Sequence, residues 1–153
     1  MFEELQTRTA GKKVLLLGVG NRLRGDDGVG SYLVRRLKNK VNIPLIDAGD
    51  VPENYIGPIE SSGANLVLIV DAADFGANPG DIALIELEQL KNFSVSTHTA
   101  DLSLLFKVIP KEKRPDAVLV AIQPGSTATG LGLSDAVRDS LDGVENLLLQ
   151  LLK

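Results

Sequence analysis

The chain has 153 residues, a formal net charge of −4 and no cysteine. Its length suits a single domain, and an acidic balance argues against a nucleic-acid partner, which needs clustered positive charge. Without thiols there can be no disulfide, thiolate metal ligand or cysteine nucleophile, which fits a reducing compartment.

In chain order, the opening MFEELQTRTAGKK puts two glutamates where a signal peptide would carry basic residues, and no apolar segment follows. The longest apolar run, AVLVAI at 117–122, has six residues, far short of the ~20 that cross a bilayer. The expected location is the cytoplasm, without membrane insertion. Strands are predicted at 13–17, 41–46, 66–70, 82–87 and 117–122. Several are apolar on consecutive residues, as parallel strands covered on both faces are.

A helix is predicted over 28–38 from Val29, Tyr32, Leu33 and Leu37, with Asp27 as its N-cap or first-turn acid. A second, over 100–109, repeats the spacing through Leu102, Leu105, Phe106 and Ile109 until Pro110 stops it. The last starts at the N-cap Ser134 and shows one apolar stripe through Val137, Leu141, Val144, Leu148 and Leu151. Residues 50–58, 76–80 and 124–132 gather proline and glycine and read as loops. The basic run VRRLKNK at 34–40 reads as a solvated helix end, with a docking patch as the sharper alternative. The expected architecture is an α/β three-layer sandwich, with a mostly parallel sheet of about five strands flanked by helices.

The chemistry is sought in the residues that follow strands, because ligands of open parallel sheets sit beyond the strands' carboxyl ends. The first strand runs into GVGNRLRGDDGVG, which begins like a dinucleotide fingerprint but has Leu23 where the third glycine belongs. Asn21, Asp26 and Asp27 follow that strand, Asp47 the second, Asp71 and Asp74 the third, the sole histidine His98 the fourth, and Gln123 the fifth. Each has an ordinary structural reading, as a helix cap or strand-end acid. Jointly, Asp27, Asp71 and His98 make a hard-to-borderline donor set for a divalent ion with positions left open. A cation also relieves the repulsion of crowded carboxylates. The metal is not identified by these residues. No Walker-type phosphate loop or G-x-S-x-G elbow is present. A phospho-receiver domain would want lysine after the fifth strand, where Gln123-Pro124 stands.

Five segments in this order resemble the hydrogenase maturation endopeptidases: GVGNRLRGDDGVG, IDAGDVPEN, LVLIVDAADFGANPGDI, STHTADLSLL and AIQP. They span the chain from about residue 14 onward and leave residues 1–12 as an N-terminal extension of one domain, 1–153. The PEN and DFGANPGDI segments resemble the branch serving formate-hydrogenlyase-type hydrogenases. The resemblance implies an endopeptidase that removes the C-terminal extension of a nickel–iron hydrogenase large-subunit precursor after nickel insertion. It carries the metal-binding trio onto Asp27, Asp71 and His98 and a further characteristic aspartate onto Asp47. Where the family usually has Asp-Gly-Gly, this chain has Asp47-Ala48-Gly49, and alanine restricts the backbone more than glycine. The first ligand, glutamate in some members, is the shorter aspartate here.

Two mechanisms stay open. A resident ion such as zinc would polarise the carbonyl, or the trio would recognise the precursor's own nickel while a carboxylate such as Asp47 activates water. A non-enzymatic nickel-binding or assembly chaperone is the alternative of a different class. An enzyme like peptidyl-tRNA hydrolase is a third, opposed by the acid pair.

Overall fold

The computed structural model describes residues 1–92, 94–95, 97–130 and 132–152, and for residues 91, 92, 94, 95, 97, 98 and 105 the backbone alone. Its central layer holds β1 (Val14–Val19), β2 (Leu45–Gly49), β3 (Leu66–Asp74), β4 (Ile82–Glu86) and β6 (Asp116–Ile122) in the order β2-β1-β3-β6-β4. All pairings along it are parallel except β4 with β6. A two-residue β5 (Ser94–Val95) pairs antiparallel with the end of β3, Ala73 opposite Val95.

The consecutive apolar runs are explained by two cores, one on each side of the sheet. Val14, Leu16, Leu66, Leu68, Val70, Val118 and Val120 face α1 (Phe2–Thr9), α2 (Val29–Leu37) and α5 (Asp135–Leu151). Their neighbours Leu15, Leu17, Val67, Ile69, Ala117 and Leu119 face α3 (Ile56–Ser61) and α4 (Thr97–Phe106). A strand alternates its side chains, so a strand covered on both faces must be apolar throughout. The stripe of α5 is fully buried at Val137, Leu141, Val144 and Leu148, roughly 1.5–3 kcal/mol of burial per side chain.

Four segments depart from expectation, among them the second predicted helix, which runs over Thr97–Phe106 rather than 100–109 and ends before Pro110 is reached. Residues 2–9 form α1, whose Leu5 is fully buried in the core shared with α5. One leucine and a buried Thr9 are too short a pattern to announce a helix. The second strand starts at Leu45 rather than at 41, because Pro44 lacks an N–H for the ladder. Val41 and Ile43 pack from the preceding loop instead. Within the expected loop 50–58, a 3-10 turn at Pro52–Tyr55 leads into α3. Pro58 is tolerated in the first turn of α3, where an N–H has no intrahelical partner.

The basic run at 34–40 is largely spent within the molecule. Arg36 pairs with Asp142 and Glu145 of α5, and Lys40 reaches Glu145 at 3.3 Å. Arg35 lies 3.5 Å from Asp47. These pairs tie α2 to α5 and to β2 more than they offer a docking patch. Such exposed pairs contribute roughly 0–1 kcal/mol each.

Gly143, inside α5, has an open flank: nothing lies within 4 Å of the point a Cβ would occupy. Gly143→Ala should therefore stabilise the protein by about 0.5–1 kcal/mol, read as a higher urea midpoint at unchanged slope.

Candidate functional site

The site lies where the chain changes direction across the sheet. After β1 the chain returns over one face through α2, and after β2 it crosses the other face through α3 to reach β3. The connections leaving the carboxyl ends of β1 and β3 thus diverge, which opens a crevice between them. Gly18 of β1 stands beside Asp47 of β2 on one side and Val70 of β3 on the other. Asp71 is the next residue of β3.

The glycines of the first loop serve close packing rather than a phosphate. A Cβ on Gly18 would sit 2.3 Å from the Gly30 carbonyl oxygen, and one on Gly30 would sit 2.1 Å from that of Val70. These contacts let α2 lie directly against β1 and β3. Gly20 has φ +126°, and a Cβ there would fall 1.8 Å from the Asp27 carbonyl oxygen and 3.5 Å from Asp71 Oδ1. The Asp27 backbone and the Asp71 carboxylate, distant in sequence, thereby meet at one small opening.

Asp27 belongs to a 3-10 turn, Gly25–Gly28, and Gly28 takes the N-cap position of α2. The expected capping role is therefore absent. Its Oδ2 instead accepts the Asn21 N–H at 2.8 Å, folding the loop back on itself and leaving the carboxylate partly exposed. Asp71 is only 1% exposed, and its Oδ2 accepts the Thr99 hydroxyl at 2.5 Å. Thr99 lies in the first turn of α4.

That contact brings the start of α4 against the end of β3. Because β4 runs antiparallel to β6, its carboxyl end lies at the far end of the sheet, so following the fourth strand does not by itself put His98 at the rim. The chain is carried back by the 3-10 turn Leu87–Asn92 and by β5, which pairs with the last residues of β3. The backbone of His98 is the residue before Thr99 in α4, while its ring lies outside the described residues.

Asp47 lines a separate part of the crevice. Its Oδ2 accepts the Ser31 hydroxyl at 2.9 Å and faces Arg35, and its Oδ1 accepts the Gly49 N–H at 3.3 Å. A cleft of about 470 Å³ opens over it, bounded by Gly20, Arg22, Leu23, Asp50 and Tyr55. Ala48 causes no strain, because the left-handed turn falls on Gly49 (φ +57°) and the alanine methyl is buried in the core.

Gln123 and Asp74 hold a loop together. Gln123 Oε1 accepts the Phe75 and Ala77 N–H groups, and its amide donates to Asp74 Oδ1 at 3.1 Å. The Gly76 N–H and the Gln123 amide hold the Asp74 carboxyl below its ordinary range.

Asp26, the other half of the acid pair, is turned inward and is 1% exposed. Burial alone would raise its pKa, but N–H donors from Ser134, Ser126 and Gly125 and the Ser134 hydroxyl together bring it below the ordinary value. The resulting stabilisation is present above the ordinary carboxylate range and is lost as pH falls through the lowered pKa.

The donor chemistry fits a divalent ion: the Asp71 carboxylate at the end of β3 and the 3-10 turn that carries Asp27 meet at Gly20, and the chain has no thiolate. No group of three or more histidine, cysteine, aspartate or glutamate residues able to hold a metal occurs among the described residues, from which the His98 ring is missing.

Residues 28–151 match the family model HycI, hydrogenase maturation protease. The chain belongs to this family. The matched span contains Asp47, Asp71 and His98 and begins directly after Asp27. The hydrogenase 3 maturation protease of Escherichia coli K12 is 34% identical over 133 residues, covering 85% of this chain and 85% of that protein. Among solved structures, the nickel–iron hydrogenase maturation protease HycI of Thermococcus kodakarensis superposes with a TM-score of 0.85 at 32% identity, covering 97% of this chain and 98% of the other. HybD of the same organism gives 0.76 at 25% identity, covering 92% and 99%. The maturation-protease fold thus extends over nearly the whole chain, and the protein is a peptidase.

Sequence reasoning missed the supporting residues of this maturation protease. Ser31 and Arg35 carried a signal in retrospect, since they lie four apart on one face of α2. Thr99 had none beyond its place next to His98.

Proposed function

We propose that this protease cleaves one peptide bond to release the C-terminal extension of a nickel–iron hydrogenase large-subunit precursor that already carries nickel, in the cytoplasm. The observation that supports this reading most is the meeting of the Asp71 carboxylate with the turn that carries Asp27 at Gly20, Asp71 being bonded to Thr99 of the helix that carries His98. Two carboxylates and one imidazole leave coordination positions for ligands that the precursor itself brings. The nickel is then part of the substrate, and the trio both recognises it and draws the adjoining peptide into the cleft over Asp47. There the Asp47 carboxylate, oriented by Ser31 and Arg35, takes a proton from the attacking water and returns it to the leaving nitrogen. Cleavage is thereby coupled to nickel insertion without a separate sensor.

The test is intact-mass analysis of nickel-loaded precursor after incubation with the purified protein. The expected result is loss of a C-terminal peptide, and enzyme first dialysed against a chelator should retain its activity. His98→Ala should lower the rate by at least ~10²-fold, more than loss of a supporting outer residue costs, with an unchanged circular dichroism spectrum. An unchanged precursor mass under these conditions points to the chaperone reading. Activity that disappears on chelation and returns with one equivalent of zinc points to a resident ion.

A further inference from the structure

The paired acids that begin α2 do not share one task. Asp27 is half-buried and accepts the Asn21 N–H within its own turn, whereas Asp26 is buried against the loop that joins β6 to α5. Its Oδ2 accepts the N–H groups of Gly125 (2.8 Å) and Ser126 (3.0 Å) and the Ser134 hydroxyl (2.8 Å), and its Oδ1 accepts the Ser134 N–H (2.7 Å). One carboxylate therefore gathers both ends of the loop. The backbones are also joined: Asp26 N–H to the Ser126 carbonyl, Gly25 N–H to the Gly130 carbonyl and Gly130 N–H to the Leu23 carbonyl, at 2.8–2.9 Å. The turn that carries Asp27 is thus fastened on its outer side to a loop roughly one hundred residues away, as the separations of 99 to 108 positions show. On its inner side it is limited by Gly20, where even a methyl group finds no space.

We infer that Asp26 is a positioning residue that sets the place of the Asp27 carboxylate by clamping the 21–28 turn to the 124–134 loop. A capping serine would normally turn its oxygen toward the helix N–H groups. Ser134 instead gives its hydroxyl to Asp26, and no side-chain cap bond forms on α5. The bond at the clamp thus replaces a local one. Asparagine cannot substitute. Whichever way its amide is turned, the NH₂ meets at least one backbone N–H: that of Ser134 on one side, or those of Gly125 and Ser126 on the other. The placement of Asp27 is a property of the fold, while the consequence for catalysis rests on the proposed function.

Amide exchange followed by NMR reads the placement without any substrate. The Asn21 N–H, held by Asp27 Oδ2, should exchange at least tenfold faster in Asp26→Asn, beyond any change that the lowered global stability, read from the Leu68 and Ile69 amides in β3, accounts for. Where Asp26→Asn does not fold, Ser134→Ala removes one donor only, and the Asn21 amide should then exchange two- to fivefold faster. Unchanged Asn21 exchange in the folded variant overturns the inference. In the processing assay, below the unfolding range of both proteins, Asp26→Asn should lower kcat by ten- to a hundredfold at a KM within threefold of wild type, since about 1 Å of misplacement costs that much. Adding Gly143→Ala should raise the melting temperature without restoring kcat. Full restoration would mean that Asp26 acts through stability alone and would overturn the inference. A wild-type protein that does not cleave removes the proposed function, and the Asn21 amide then decides the role of Asp26.

Discussion

Asp71→Asn is expected to process nickel-loaded precursor at least ~10²-fold more slowly than wild type while remaining folded. The two side chains have nearly the same volume, so the substitution leaves no cavity at a position that is 1% exposed. The amide oxygen of asparagine can still accept the Thr99 hydroxyl bond that the carboxylate accepts. Stability should therefore stay within about 1–2 kcal/mol of wild type, as thermal unfolding would report. What is removed is the carboxylate at the end of β3, the donor that the proposed function assigns to the substrate's nickel. A folded Asp71→Asn protein with wild-type turnover would take Asp71 out of the site.

The second large effect is expected at Gly20. Gly20→Ala forces a methyl group to within 1.8 Å of the Asp27 carbonyl oxygen at a backbone conformation with φ +126°. Strain of roughly 1–2 kcal/mol and overpacking of roughly 1–3 kcal/mol combine to a destabilisation of about 2–5 kcal/mol. The relief available is to push the 25–28 turn away from β1, which separates Asp27 from Asp71, so processing should be lost even in the fraction that remains folded. Gly49→Ala is the natural control. It also has positive φ, at +57°, but nothing lies within 4 Å of its Cβ position. It should show only the strain. Urea denaturation of both variants separates the two contributions, and equal losses would mean that crowding at Gly20 is relieved without moving the turn.

The glycine-rich loop after β1 shows how much is legible without the fold. The interruption of the dinucleotide pattern at Leu23 argues against a Rossmann fingerprint, and the acid pair suggests a cation. Both inferences depend on residue type and order alone. The division of labour within the pair is not legible, because the partners of Asp26 lie near residues 125–134, and nothing near Asp26 announces them. Asp27 reads as a helix cap for a similar reason. Position before an apolar-periodic segment is a good local signal, but the extra turn Gly25–Gly28 and the Asn21 N–H outcompete it. The route to His98 is misread when the fourth strand is taken as parallel with the rest. A five-residue apolar strand looks the same in either direction, and only its pairing with β6 reveals the reversal.

The sequence by itself determined the α/β class, the strand and helix periodicities and the absence of thiol chemistry, and it suggested the candidates Asp27, Asp71 and His98, with Asp47 added by the family resemblance. These rest on hydrophobic period and residue chemistry, which are local properties of the chain. The tertiary structure alone decided that Asp71 faces the α4 side to meet Thr99, that Asp47 is held by Ser31 and Arg35, and that Asp26 turns away from the crevice to clamp a distant loop. Each of these is a contact between groups far apart in the sequence, whose geometry depends on strand order and on how closely α2 approaches the sheet. No local signal encodes that distance. It is set by the absence of side chains at Gly18 and Gly30, where backbone meets backbone and no Cβ would fit.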